Sequence, residues 1–343
     1  LPKILTHEHL DCSVRPLTLL ELWSQIGFEK AAAVPFPVDL TQEWQRSGSN
    51  ENTRSRVASR YQEYLAGFAS ASLKNYVDCI VWTVLPVMQS AENLYRITKE
   101  RIQDAVADGV IAMELRFAPQ LHTSGGLSLD QVMQAVIAAV DESPIPLKLI
   151  VCSLRHENRE MARQLVDLAI RYKKHVGKFD LAGDEHANPG VLTWWTDETA
   201  RLPEHGIGLT VHLWETEEPT EEDIKRLRQH GIHVVGHAIR GNNHGDLIAT
   251  VCGTSNVVTG QVADWSVHPI DEMFFKGVRV TVDTDGTLFT RTSATGEYVQ
   301  LTKKFGWGRT EFLVCNMTAL EQMQLEPQVK QRLRAALVNG YCG

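Results

Sequence analysis

The run Thr6-His7-Glu8-His9-Leu10-Asp11 sets two imidazoles two residues apart near the start of the chain. In a strand, side chains alternate faces, so His7 and His9 would point one way and Glu8 the other. Two imidazoles on one side of a strand end are placed to share a cation, although a hydrogen-bonded histidine pair has the same spacing. Three further polar residues each follow a short apolar run: His212 after Leu209-Thr210-Val211, His237 after Val234-Val235-Gly236, and Asp285 after Val280-Thr281-Val282. Three of these four imidazoles with the Asp285 carboxylate, leaving room for a water, suit one catalytic Zn2+ per chain. Iron, cobalt or nickel also accept so nitrogen-rich a set. Glu215 lies three residues beyond His212, beside the metal without being an obvious ligand. A proton carrier and a solvated residue of the acidic loop that continues to Glu217 and Glu218 both fit that position.

These residues need elements that deliver them to one place. Short strand-like runs alternate with helical patterns, which points to a parallel α/β chain and, at 343 residues, to a (β/α)8 TIM barrel in a single domain over 1–343. The eight strand candidates are Ile4–His9, Val110–Phe117, Leu147–Ser153, Val176–Ala182, Gly208–Leu213, Ile232–His237, Ser255–Thr259 and Val278–Asp285. In a barrel all strand C-termini open on one face, where active sites are built. Helices are expected over Leu129–Val140 with Ser128 as N-cap, over Arg159–Lys173 and over Glu221–His230. Residues 16–108 read as a mainly helical insertion after the first strand, expected to form a lid or pocket wall. Within it Val77–Leu85 has the composition of a strand, yet Val77, Ile80, Val81, Val84, Leu85 and Met88 follow helical spacing, with a break expected at Pro86.

Composition narrows the class of partner. The formal net charge is −8 and the pI about 5.9, against the basic stripe that tracks phosphates, so no nucleic acid is expected and a small molecule is. No apolar run reaches the length of a membrane span. The six cysteines are scattered without a CxxC pair, so neither a disulfide framework nor a thiolate zinc site is expected, and a cytoplasmic location is the simplest reading.

The same residues resemble the adenosine deaminase family of metal-dependent amidohydrolases. His7-Glu8-His9-Leu10-Asp11 with Arg15-Pro16 looks like its opening HxHLDG…RP motif, and Glu114–Pro119 like its second-strand signature. Asp180-Leu181-Ala182-Gly183-Asp184-Glu185 is similar to its DLAGDE strand end. His212-Leu213-Trp214-Glu215 resembles HAGE, Gly236-His237-Ala238 resembles GHG, and Thr284-Asp285-Gly286 resembles TDD. The resemblance implies zinc-dependent hydrolytic deamination of a 6-aminopurine nucleoside, adenosine or a modified adenosine, to the 6-oxo product and ammonia. In it His7, His9, His212 and Asp285 would hold zinc, and Glu215 would protonate ring N1. His237 would orient or deprotonate the attacking water, with Asp285 able to share that proton. Gly183 would meet the purine through its backbone, while Asp11, beside His9, would bind the sugar end.

Four positions depart from the pattern. Cys12, Trp214 and Ala238 stand where the family has glycine, and Gly286 where many members carry a second Asp on the N7 side of the purine. Trp214 and Gly286 are therefore expected to shape substrate choice. Another amidohydrolase chemistry, on a different amine or amide, is the alternative; binuclear relatives add a carboxylated lysine, and Lys178 lies too early in its strand for that. A non-catalytic binder would be expected to have lost a ligand or the proton donor. The His-x-Glu…Pro-Cys-x-x-Cys signature of cytidine-type deaminases is absent.

Overall fold

Eight buried strands pair side by side, all parallel, in the order in which they occur along the chain. They are β1 (Lys3–His9), β2 (Val110–Phe117), β3 (Leu147–Leu154), β4 (Val176–Ala182), β5 (Gly208–Leu213), β6 (Val234–His237), β7 (Ile248–Val251) and β8 (Arg279–Val282). The computed structural model describes residues 1–31, 33–188, 190–241 and 245–343. Helices alternate with the strands, and sequential parallel pairing of this kind produces a (β/α)8 barrel.

The barrel comes together between its first and last strands at the residues of interest. His9 N donates to Asp285 O at 2.6 Å and Asp285 N to His7 O at 2.9 Å. Just below, the buried Asp283 carboxylate accepts from Thr6 N at 2.5 Å and His7 N at 2.9 Å, supplying acceptors that a strand backbone would otherwise provide. Closure and site are thus one piece of hydrogen bonding.

Between β1 and β2 the chain forms α1 (Pro16–Ile26), α2 (Val38–Ser47), α3 (Glu51–Ala69), α4 (Leu73–Cys79) and α5 (Ala91–Ala107). Asn50, Ser72 and Ser90 cap α3, α4 and α5 by accepting from the N3 backbone. Helical spacing holds through Val77–Leu85, but the winding changes earlier than Pro86: Ile80–Val84 is a π turn and Leu85–Val87 a 3-10 turn. Pro86 has no N–H to give the carbonyl four residues back, so the helix loosens upstream of it. Thr83 helps, its hydroxyl donating to Cys79 O at 2.6 Å while its own carbonyl accepts from Trp23 Nε1 at 2.7 Å.

The helices α6 (Leu129–Val140), α7 (Arg159–Arg171), α8 (Val191–Thr199) and α9 (Glu221–Gln229) follow β2 to β5 in turn, and Ser128 forms a full capping box with Gln131. One strand lies elsewhere than the composition suggests. The seventh is Ile248–Val251, whereas Ser255–Thr259 falls on the short helix α10 (Gly253–Val258) and the residue after it. The β-branched Val257, Val258 and Thr259 mislead because strand preference reflects neighbours more than backbone; here β6 and β8 are already satisfied by Ile248–Val251. Among the described residues no helix is long and apolar enough to cross a membrane. None of the six cysteines is paired.

Candidate active site

Four side chains converge where β1, β5 and the segment after β8 end. His7 Nε2 and His9 Nε2 each lie 3.1 Å from His212 Nε2. Asp285 Oδ1 is 3.6 Å from His7 Nε2 and 3.4 Å from His9 Nε2. The four ligand atoms all fall within 4.8 Å of one another. Donors around a cation at zinc–nitrogen distances of about 2.0–2.1 Å sit on tetrahedral edges of about 3.3–3.4 Å. Four of the six donor separations lie near that edge, and the four side chains could hold a metal. Burial keeps the His7 and His9 pKa values well below the ordinary range, assisted by neighbouring imidazoles and Arg116. Their rings are therefore neutral, with lone pairs available.

Each of these groups is itself held. His7 Nδ1 is 2.8 Å from Thr250 Oγ1 on β7. His212 Nδ1 is 3.0 Å from Asp180 Oδ2, which leaves the Nε2 lone pair facing the cluster. Against the effect of burial, His212 and Arg116 hold Asp180 well below the usual carboxylate range; Arg116 Nη1 donates to it at 2.9 Å. Ser255 Oγ, on α10, donates to Asp285 Oδ2 at 2.6 Å. His237 and Asp285 both adopt left-handed backbone, φ +60° and +63°. Such conformations cost about 1–3 kcal/mol each and persist where surrounding structure fixes them.

Glu215 is buried beside this cluster, its Oε2 3.6 Å from His237 Nε2. Burial, then the charges of Asp285 and Glu185, raise its pKa well above the carboxylate norm, which favours the protonated form. Glu185 fixes the turn that presents it, accepting from the backbone N–H groups of Trp214 at 3.0 Å, Glu215 at 2.8 Å and Thr216 at 3.2 Å. Asn256 Nδ2 stands 3.1 Å from His237 Nδ1 and 3.5 Å from Glu215 Oε1. His237, buried among imidazoles, is held well below its usual pKa and is neutral.

An inner chamber of about 90 Å³ opens on this group, lined also by Cys12, Tyr76 and Gly183. Gly183 has φ +100°, a backbone that side chains rarely adopt, and so exposes its peptide to the cavity. Asp11 lines the continuation of the cavity, its Oδ1 3.8 Å from His9 Nδ1, with burial raising its pKa to about 6. Glu8, on the other side of β1, pairs with Arg101 at 3.1 Å, away from the metal cluster. Lys178 is buried against Glu114 and Gln322 and takes no part in the cluster.

Two expected substrate contacts are not brought to the inner chamber. Trp214 is fully buried in the hydrophobic core, on a backbone at φ +60°. Gly286 is screened: a Cβ there would lie 2.2 Å from Cys12 Sγ and 2.5 Å from the Tyr76 hydroxyl. Tyr76, its buried hydroxyl beside the Cys12 thiol, fills that side of the chamber instead. Helical patterning around residue 76 gives no hint of it. Asp180 and Glu185 stand within a quoted motif, but nothing in their spacing reveals what they hold. Ser255 and Asn256 were hidden by reading their segment as a strand.

A profile of the adenosine deaminase family matches residues 2–339. The chain belongs to the adenosine deaminase family. As a member of that family it is a deaminase, a hydrolase of C–N bonds in cyclic amidines. An adenosine deaminase of Mycobacterium tuberculosis is 33% identical over 350 residues, covering 93% of this chain and 88% of that protein. Two solved structures share the fold. Arabidopsis ADAL complexed with IMP aligns at TM-score 0.80 and 22% identity, covering 100% of this chain and 97% of that one. An adenine deaminase from Arthrobacter aurescens aligns at TM-score 0.81 and 19% identity, covering 100% and 99%. The family is metal-dependent, which agrees with the His7, His9, His212 and Asp285 cluster.

Proposed function

We propose that this family member uses His7, His9, His212 and Asp285 to hold one Zn2+ and deaminates a 6-aminopurine nucleoside, adenosine or a modified adenosine, to its 6-oxo product. The observation that carries the reading is Glu215: a carboxyl group buried beside four side chains that could hold a cation, its pKa pushed well above the carboxylate norm by burial. A zinc ion there supplies Lewis acidity that makes a water proton removable near neutral pH.

The chain's own residues do the rest. Glu215 donates its proton to ring N1, so that negative charge does not build on the purine as oxygen adds to C6. With the Asn256 amide donating to Nδ1, His237 carries its proton on Nε2 and orients the incoming oxygen. Asp285 accepts the proton which that oxygen sheds. The C6–nitrogen bond then breaks as the amine takes the proton held by Asp285, the C6 hydroxyl gives its proton back to Glu215 to leave the 6-oxo group, and ammonia departs. The Gly183 backbone faces the base and Asp11 the sugar hydroxyls. The IMP bound to the arabidopsis relative supports a purine ligand for the cavity. The helices between β1 and β2 serve as an insertion that walls the pocket, within one domain. Six unpaired cysteines suit a reducing compartment such as the cytoplasm.

The absent carboxylate at Gly286, with Cys12 and Tyr76 in its space, favours an altered substrate over plain adenosine. A screen for ammonia release over 6-aminopurines and their nucleosides tests the reading. Release from none of them returns the choice to another amide or amine.

A further inference from the structure

The inner chamber continues outward into a second of about 330 Å³, and His9 and Gly183 line both. On one side Leu121 and Leu154 pack on a small apolar cluster at the ends of β2, β3 and β4, separate from the main core. Facing into the same chamber, Val77, Ile80, Val81 and Leu85 come from α4 and the turns after it. Val77 is 38% and Val81 44% exposed, so aliphatic surface faces water at the mouth. Contiguous apolar surface opening on a functional site marks a binding region.

The charges there have the wrong sign for an anion. Asp11, Asp78 and Asp184 line the chamber, and its one lysine, Lys74, is already bonded to Asp78. No arginine is among the described lining residues. A phosphate is best held by forked guanidinium donors, and this wall offers instead one ammonium tied to Asp78 and the imidazole of His156, against three carboxylates.

A purine with C6 at the metal cluster would put N9 across the fused ring, and a sugar on N9 would reach toward the outer chamber, which shares its lining with the inner one. We infer that the outer chamber is a subsite for an apolar substituent on the 5′ carbon, and that it disfavours a 5′-phosphate. The inference rests on the deaminase reading given above and deepens it. Burying aliphatic groups favours binding by roughly fourfold per methylene.

The test compares kcat/KM for ammonia release from adenosine, 5′-deoxy-5′-butylthioadenosine and AMP, using the intact metal-loaded enzyme and Val81→Asp. Val81 is exposed enough for the variant to fold. The butylthio nucleoside should exceed adenosine by about tenfold or more, given that gain per methylene, and AMP should fall below adenosine. In Val81→Asp the ratio of butylthio nucleoside to adenosine should drop by about tenfold. AMP turned over as well as the butylthio nucleoside, or a ratio unchanged by Val81→Asp, overturns the subsite while leaving adenosine deamination intact. Release from none of the three overturns the deaminase reading itself.

Discussion

Cys12 and Gly286 occupy one another's space: a Cβ built on Gly286 would stand 2.2 Å from Cys12 Sγ. The two departures from the family pattern, far apart in sequence, are one change in three dimensions. A thiol on the first strand's exit takes the volume of a side chain on the last strand's exit. Gly286→Asp alone should therefore overpack the wall and cost about 1–3 kcal/mol of stability. Adding Cys12→Gly should recover part of it, the Tyr76 hydroxyl still crowding the position, with a coupling of at least about 0.5 kcal/mol in a denaturant double-mutant cycle. Additive effects would mean that the two residues do not share that space.

Glu215→Gln removes an acid while keeping the shape and hydrogen-bonding length of the side chain. Turnover should fall by roughly 10²–10⁴-fold. Metal content per chain, read by elemental analysis, should not change, because Glu215 is not among the four converging ligands. Near-normal kcat in this variant would take Glu215 out of the chemistry.

The raised Glu215 pKa gives the pH profile a sign. The acid is useful only while protonated, so kcat should decline as pH rises through its elevated pKa. The residual activity of Glu215→Gln should lack that alkaline limb, because an amide does not titrate there. In metal-free protein the same group should weaken the fold as pH rises from the ordinary carboxylate range up to that raised pKa, since the native state holds this proton more tightly than the unfolded chain. An alkaline limb that survives in Glu215→Gln belongs to another residue.

Asp180 acts through His212 rather than on a substrate. Asp180→Asn should keep the barrel but lower metal affinity about 10–100-fold, measured by competition with a chromogenic chelator. An isosteric amide that left affinity untouched would show that the 3.0 Å contact with His212 does not set the ring's tautomer.

The four ligands were legible in the sequence because each chemical residue ends an apolar run, and parallel strands bring such ends together. Strand alternation and barrel topology bring His7, His9, His212, His237 and Asp285 to one face, and the family resemblance singles out His7, His9, His212 and Asp285 among them. Their supporting groups were not legible. Thr250 and Ser255 reach the site only once β7 is placed at Ile248–Val251, and a run of β-branched residues just beyond it competes for that role. Trp214 looked like a pocket residue from its place beside His212, yet its left-handed backbone accompanies an indole buried in the core. Tyr76 reaches the chamber from α4, and no local pattern foretells which face of a helix will wall a distant cavity.

The most direct test of metal-dependent deamination is ammonia release from whichever 6-aminopurine nucleoside the protein turns over best, before and after metal removal. The purified protein should carry about one zinc per chain, consistent with a single tetrahedral site. Stripping with a chelator should abolish ammonia release, and adding back one equivalent of Zn2+ should restore it. Full turnover by metal-free protein, or activity that returns only with two metals per chain, would contradict the account.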